Sequence, residues 1–67
     1  MISITLNGLL QQIADDATLE SVVREVSPQA QGIAVAVDAH VVRRADWANT
    51  HLRNGAQVEV ITAVQGG

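Results

Sequence analysis

Cysteine and lysine are absent from this chain of 67 residues, and it has no phenylalanine or tyrosine, a single tryptophan and a single proline. Without cysteine the chain can form neither a disulfide framework nor a thiolate zinc site, so its stability must come from packing. The missing lysines remove the usual side chains for isopeptide attachment. Because the apolar residues are mostly Val, Ala, Ile and Leu, we expect a lean aliphatic core in one small domain, residues 1–67.

Charge and hydropathy argue against two classes of partner. Seven acids oppose four arginines, a formal net charge of −3, whereas a nucleic-acid-binding domain of this size normally carries a basic stripe. No segment approaches the run of about 20 apolar residues that a membrane helix needs, and the N-terminus does not have the pattern of a secretory signal. We therefore expect a cytoplasmic protein that binds neither nucleic acid nor membrane.

The ionisable residues do not have the spacing of a catalytic or metal site. His40 and His51 have no cysteine or paired carboxylates near them in the sequence, which argues against a metal. Asp15 and Asp16 are interpreted as loop acids, because no third group accompanies them. We expect no catalytic residue, no metal and no bound cofactor.

Residues 1–13 predict a β-hairpin. Ile2, Ile4 and Leu6 alternate with polar residues, the period of two that is typical of a strand with one buried face. Asn7-Gly8 follows, and both residue types tolerate the positive φ of a tight turn. We therefore expect the chain to return antiparallel over Leu9 to Ile13.

Residues 18–26 predict a short helix. Thr18 offers a hydroxyl to cap its start, and Pro28 prevents it from continuing. Three of its four core residues are valines of modest helix propensity, so packing must hold it. The apolar stripe that should face the core consists of Leu19, Val22, Val23 and Val26.

The second half of the chain predicts three further strands. The patterns indicate a strand over 33–37, a turn over 38–40, a short strand over 41–43, an irregular or single-turn helical stretch over 44–48 with Asp46 as a candidate cap, a turn at Asn54-Gly55, and a long strand from Gln57 to Val64. Trp47 is expected to anchor the loop against the sheet. The order ββαβββ fits best as an α+β fold, a mixed twisted sheet of about five strands packed on one helix, which is the β-grasp (ubiquitin-like) architecture.

The long strand is predicted to run directly into Gln65-Gly66-Gly67 and to project this tail from a sheet edge. Glycine has no Cβ, so Gly66 and Gly67 can present a thin, extended backbone to a narrow cleft. The chemistry is therefore expected at this tail, with the α-carboxylate of Gly67 at its tip.

A β-grasp domain of this length that ends in Gly-Gly resembles the ThiS family, the ubiquitin-like sulfur carriers of thiamin biosynthesis. The family's pattern is matched by the segments Asp38 to Trp47, Asn54-Gly55-Ala56 and Val58 to Ile61, in which Arg44, Trp47, Gly55, Glu59, Gly66 and Gly67 stand at the expected positions. The chain departs from the pattern at Arg43 (usually proline), at Asp38-Ala39-His40 (commonly Asn-Gly-Glu) and at Ala56 (usually an acid).

The resemblance implies a protein cosubstrate and not an enzyme. An E1-like (ThiF-like) adenylyltransferase would use Mg-ATP to convert the Gly67 carboxylate into an acyl adenylate. Sulfur from a donor protein would then displace AMP, and the resulting thiocarboxylate would deliver sulfur to a ThiG-like thiazole synthase. Gln65 and Gly66 would be recognised as part of the tail, while Glu59, Ile61, Ala63 and Arg44 are the candidate docking residues.

Other uses of the same tail remain open at this stage. The chain could carry sulfur for molybdopterin or cysteine synthesis, or it could be a protein modifier that is joined to lysines through Gly67. It could also be a small interaction module in which the two glycines are incidental.

Overall fold

The structure, a computed structural model, describes residues 1–29 and 31–62. Its elements are β1 (Ile2–Leu6), β2 (Leu9–Ile13), α1 (Leu19–Val26), β3 (Ile33–Val37), β4 (His40–Val42), a 3₁₀ helix (Arg44–Asn49) and β5 (Gln57–Thr62). The predicted order ββαβββ is confirmed, and the part of the long strand predicted beyond Thr62 lies outside the described residues.

The strands form one mixed sheet in the order β2-β1-β5-β3-β4. β1 and β5 are parallel, and the other three neighbouring pairs are antiparallel. β5 is the central strand. The predicted projection of the tail from a sheet edge falls on residues 63–67, outside the described part of the chain, and stays a prediction. After β2 the chain passes through α1, β3, β4 and the 3₁₀ helix, and only then does β5 enter the sheet between β1 and β3 and pair with both.

The hairpin turn at Asn7-Gly8 is confirmed. Asn7 has a φ of 52° and Gly8 a φ of 84°, so both central residues have the left-handed backbone that a two-residue hairpin turn requires. Leu6 pairs with Leu9 across this turn, and the register continues without interruption to Ile2 and Ile13.

The helix packs on the sheet through three of its four predicted apolar residues. Leu19, Val22 and Val23 are buried, and the Thr18 hydroxyl accepts the N–H of Ser21 at 3.3 Å as the predicted N-cap. The prediction for Val26 is wrong, because its side chain is 48% exposed. It continues the same stripe, but it lies in the last turn of the helix and is not a member of the buried cluster.

The core is a single cluster between the helix and one face of the sheet. Trp47 is buried, as predicted, and its Nε1–H donates to the carbonyl of Val42 at 2.9 Å, which fastens the 3₁₀ helix to β4. The buried members of the core cluster are Ile4, Leu6, Leu19, Val22, Val23, Val35, Trp47, Leu52, Ala56 and Val58.

Two predictions around β4 need correction. The strand begins at His40, one residue earlier than predicted and not in a turn, because Asp38 (φ 51°) and Ala39 (φ 70°) complete a two-residue turn that lets His40 pair with Val37. Asp46 does not cap the 3₁₀ helix. It lies inside the first turn, where its N–H donates to the carbonyl of Arg43 at 2.8 Å.

Candidate functional site

The face of the sheet that α1 leaves uncovered carries two of the predicted docking residues. Side chains alternate along β5, so the buried Val58 points to the helix while Glu59 and Ile61 point away from it. Both are exposed, and Ile61 exposes 57% of its side chain. The structure therefore confirms the predicted orientation of Glu59 and Ile61.

The neighbouring strands extend this surface with small and apolar residues. In the ladder between β3 and β5, Ala36 lies opposite Glu59 and Ala34 opposite Ile61, and Ala36 in turn lies opposite Val41 of β4. Val41 is 75% exposed. We call these residues, Glu59, Ile61, Ala34, Ala36 and Val41, the open-face patch. Ala34 is exposed and Ala36 is half-buried, so small side chains lie between the larger Ile61 and Val41.

Sequence reasoning did not single out Val41 as a docking candidate. The alternation within β3 places its alanines on one side of the strand. This was the available signal that a neighbouring strand would also present a residue on the same face of the sheet. Without the pairing of β3 with both β4 and β5, however, the sequence could not show that Val41 belongs to the same surface as Glu59.

Hydrogen bonds from turn residues fix the position of β5. The Asn7 side-chain oxygen accepts the N–H of Val60 at 2.8 Å, just where the backbone ladder of β1 ends. At the other end of the strand, the Asp38 carboxylate accepts the N–H of Gln57 at 3.0 Å, and the Asp38 N–H donates to the Gln57 carbonyl at 2.8 Å. Both acceptors come from turns with positive φ, so each turn residue also aligns the central strand.

The segment before β5 is held in the same way. The Asn54 side-chain oxygen accepts the N–H of Ser3 at 2.8 Å, and the N–H of Gly55 donates to the Ser3 carbonyl at 2.6 Å. Gly55 has a φ of 90°, a backbone conformation that side chains with a Cβ rarely adopt. The predicted turn at Asn54-Gly55 is therefore confirmed, and it sets the register between β5 and β1.

Arg44, the remaining described docking candidate, lies apart from the open-face patch. Its guanidinium carbon lies 5.8 Å from the centroid of the Trp47 ring, the geometry of a cation–π contact. Both residues belong to the 3₁₀ helix, which follows β4 in the chain, and β3 lies between β4 and β5 in the sheet. The structure thus brings Glu59 and Ile61 together but does not bring Arg44 to them.

Two shallow, open hollows lie on the described part of the chain. One, beside Glu59, is lined by Thr5, Gly8, Gln57 and Val58, and the other lies between the end of β2 and α1. Residues 1–29 and 31–62 contain no group of three or more His, Asp or Glu side chains that could hold a metal ion. Within the same residues, no helix has the length and apolar character needed to cross a membrane.

Four predicted site residues lie outside the described part of the chain. They are Ala63, Gln65, Gly66 and Gly67. Their predicted roles in docking, recognition and modification therefore stay predictions.

Comparison with known proteins adds two findings. The ThiS family matches residues 4–67, a span that includes both terminal glycines. A solved structure, that of a thiamine biosynthesis protein (ThiS) from Geobacter metallireducens, is 22% identical with a TM-score of 0.83, covering 98% of this chain and all of the other. That likeness confirms the β-grasp fold. No curated protein sequence matches the chain.

Proposed function

The chain belongs to the ThiS family, whose members are small sulfur carriers of thiamin biosynthesis, and we propose that it carries sulfur on the α-carboxyl group of Gly67. The observation that carries this proposal is the family match itself, which runs through Gly66 and Gly67. Supporting it, the β-grasp fold of the described residues is shared with a solved ThiS structure over 98% of this chain.

The proposed chemistry begins with activation of the carboxylate. A carboxylate resists attack by nucleophiles because resonance and its negative charge protect the carbon. An adenylylating partner uses Mg-ATP to form an acyl adenylate on Gly67 and releases pyrophosphate. The terminal sulfur of a persulfide on a donor protein then attacks the acyl carbon, and AMP leaves with the bonding electrons.

This attack gives an acyl disulfide between Gly67 and the donor. A thiol, from the donor or its partner enzyme, breaks the sulfur–sulfur bond, is itself oxidised to a disulfide, and leaves a thiocarboxylate on the carrier. The sulfur is then nucleophilic and tethered, which raises its effective concentration at the thiazole synthase that receives it. The chain has no cysteine, so none of its own thiols can compete for the activated acyl group.

The open-face patch is the surface that we propose docks these partners. Ile61 and Val41 supply apolar contact area on either side of the alanines, and Glu59 adds one charge for orientation. The hydrogen bonds from Asn7 and Asp38 keep β5 in a fixed position relative to that patch. We propose that Ala63 extends the patch and that Gln65 and Gly66 are bound in the cleft of the adenylylating enzyme.

The direct test is mass spectrometry of the intact chain, produced together with an adenylylating enzyme and a sulfur donor. Replacement of one oxygen by sulfur should appear on the C-terminal fragment that contains Gly67. The variant without Gly66 and Gly67 should show no replacement at all, because it has lost the reacting group. Its circular dichroism spectrum and denaturant midpoint should match those of the parent chain, which shows that the fold is intact.

A tag at each end provides a matched control. Extension beyond Gly67 should abolish loading, since it converts the carboxylate into an amide, whereas the same extension before Met1 should not. Loading of the variant without the glycines, or of the chain extended at its C-terminus, would contradict the proposal. Rescue of a deletion strain by thiazole, but not by molybdate or cysteine, would identify thiamin as the destination.

A further inference from the structure

The outer strand of the hairpin is an edge without the usual protection. β2 has the sequence Leu9-Leu10-Gln11-Gln12-Ile13, and its first four residues are exposed, Leu9 by 68% and Leu10 by 72%. It carries no charged side chain, no proline and no bulge, since each of its residues pairs with one residue of β1. Natural proteins generally avoid a regular apolar edge of this kind because its free backbone groups can pair with another strand.

The opposite edge of the sheet is protected. β4 has only three residues, and the carbonyl of Val42 at its end accepts the indole N–H of Trp47. Arg43 and Arg44 follow immediately and place two positive charges beside that edge. The two edges therefore differ, and only β2 combines length, neutrality and free backbone groups.

The hydrogen bonds of β1 show which backbone groups of β2 are free. The N–H groups of Thr5 and Asn7 donate to Ala56 and Val58, each at 2.9 Å, so the alternate residues Ile4 and Leu6 direct their backbone toward β2. In an antiparallel ladder their partners, Gln11 and Leu9, direct their backbone back toward β1. The N–H and carbonyl groups of Leu10 and Gln12 consequently point away from the sheet.

We propose that this edge pairs with the β2 strand of a second copy of the chain, antiparallel and centred on Gln11. In that register the residues whose backbone groups point outward face each other. Leu10 lies opposite Gln12 of the other copy, and the two residues exchange both N–H to carbonyl hydrogen bonds. Leu9 lies opposite the other Ile13, and the two Gln11 side chains lie opposite each other. Two neighbouring five-stranded sheets thereby become one, and the contact is isologous.

Charge favours a second copy at this edge over its other surfaces. Each chain has a net charge of −3, so two copies repel each other in general, but β2 contributes nothing to that repulsion. The acid that follows β2 most closely in the sequence, Asp15, lies 2.6 Å from the amino group of Met1. In the proposed register Asp15 falls opposite Asn7 of the other copy and so does not face its counterpart.

The pairing leaves the open-face patch accessible. The patch lies on β5, β3 and β4, and β1 separates these strands from β2 in the sheet. A strand pair of this length buries less surface than a stable interface, so the dimer is weak and forms at high concentration. The proposal is independent of the sulfur chemistry, and its test does not require a loaded carrier.

The association is measured by sedimentation equilibrium on the full chain from about 10 µM to about 1 mM, a range chosen for a small, weak interface. Gln11→Lys places two like charges directly opposite each other and should raise the dissociation constant about tenfold. Gln11→Glu should do the same, and an equimolar mixture of the two variants should associate at least as tightly as the parent. Val41→Lys is the matched control on an exposed strand position, and it should leave the constant unchanged.

Amide hydrogen exchange locates the contact. The N–H groups of Leu10 and Gln12 should gain protection as concentration rises, while those of Leu9 and Gln11 stay protected throughout because they bond to β1. A chain that stays monomeric at the highest concentration would overturn the proposal. The proposal would also be overturned if Gln11→Lys left the dissociation constant unchanged, or if the mixture of the lysine and glutamate variants associated more weakly than the parent. A dimer in which the N–H groups of Leu10 and Gln12 stay unprotected, or protection of these groups only when a partner enzyme is added, would overturn it as well.

Discussion

The two faces of β5 use similar side chains for different purposes. Val58 is 1% exposed and packs in the core beneath the helix, whereas Ile61, three residues later in the same strand, is 57% exposed. Both are β-branched and apolar, and both suit a strand. Their exposures differ because the alternation of side chains along the strand turns Val58 toward α1 and Ile61 toward the uncovered face.

This difference separates stability from recognition within a single strand. One face supplies the burial that a domain of this size needs, and the other supplies a surface that the fold does not require. An apolar residue on the second face can therefore be exchanged with little effect on folding, while the same exchange on the first face cannot.

The largest difference in stability is expected between a threonine on the buried face of β5 and a threonine on its uncovered face. Val58→Thr should lower the free energy of unfolding by about 2 kcal/mol, because it buries a hydroxyl in an aliphatic core. Ile61→Thr should change it by less than about 0.5 kcal/mol, since its side chain is already largely in solvent. Urea unfolding of both variants measures the difference.

Binding to the adenylylating partner should show the reverse order. Ile61→Thr should weaken it, and folded Val58→Thr should bind as the parent does. If the two variants lose similar amounts of stability, or if only Val58→Thr weakens binding, the division of labour between the two faces is wrong.

A smaller effect is expected from the hydrogen bond that holds β5 in place. Asn7→Gly keeps the positive φ of the hairpin turn but removes the acceptor for the N–H of Val60, which should cost about 1 kcal/mol of unfolding free energy. Asn7→Asp retains an oxygen at that position and serves as the control. Equal stability of the glycine variant and the parent would show that the side chain does not fasten the strand.

The smallest effect is expected at Ala39, and its sign is opposite. Ala39 has a φ of 70°, which is unfavourable for a residue with a Cβ. Ala39→Gly should therefore raise the free energy of unfolding by about 0.5–1 kcal/mol. Ala34→Gly, the same chemical change in the extended backbone of β3, should lower it by a similar amount, and thermal or urea unfolding compares the two.

Local patterns predicted the elements well because each depends on neighbouring residues. The Asn7-Gly8 turn, the Thr18 cap and the alternation around Val58 were all read from adjacent positions and were confirmed. The errors arose where distant packing decides. Val26 has the correct helical spacing but is about half exposed in the last turn of the helix, and Asp46 has the side chain of a cap but lies within the turn.

The candidate site divides in the same way. Glu59 and Ile61 could be assigned to one face from their period of two, but the addition of Val41 needed the order of the strands. Arg44 was grouped with them by the family pattern, and the structure places it instead over Trp47, beyond β4.

The sequence by itself determined the order of the elements, the two Asn-Gly turns and the buried sides of β1 and β5, because these follow from backbone preferences and spacing along the chain. Only the tertiary structure decided that β5 is central, that Asn7 and Asp38 fasten it, and that β2 is left as the unprotected edge. Those features depend on which strands become neighbours, and that choice is made by packing and hydrogen bonding between residues far apart in the sequence.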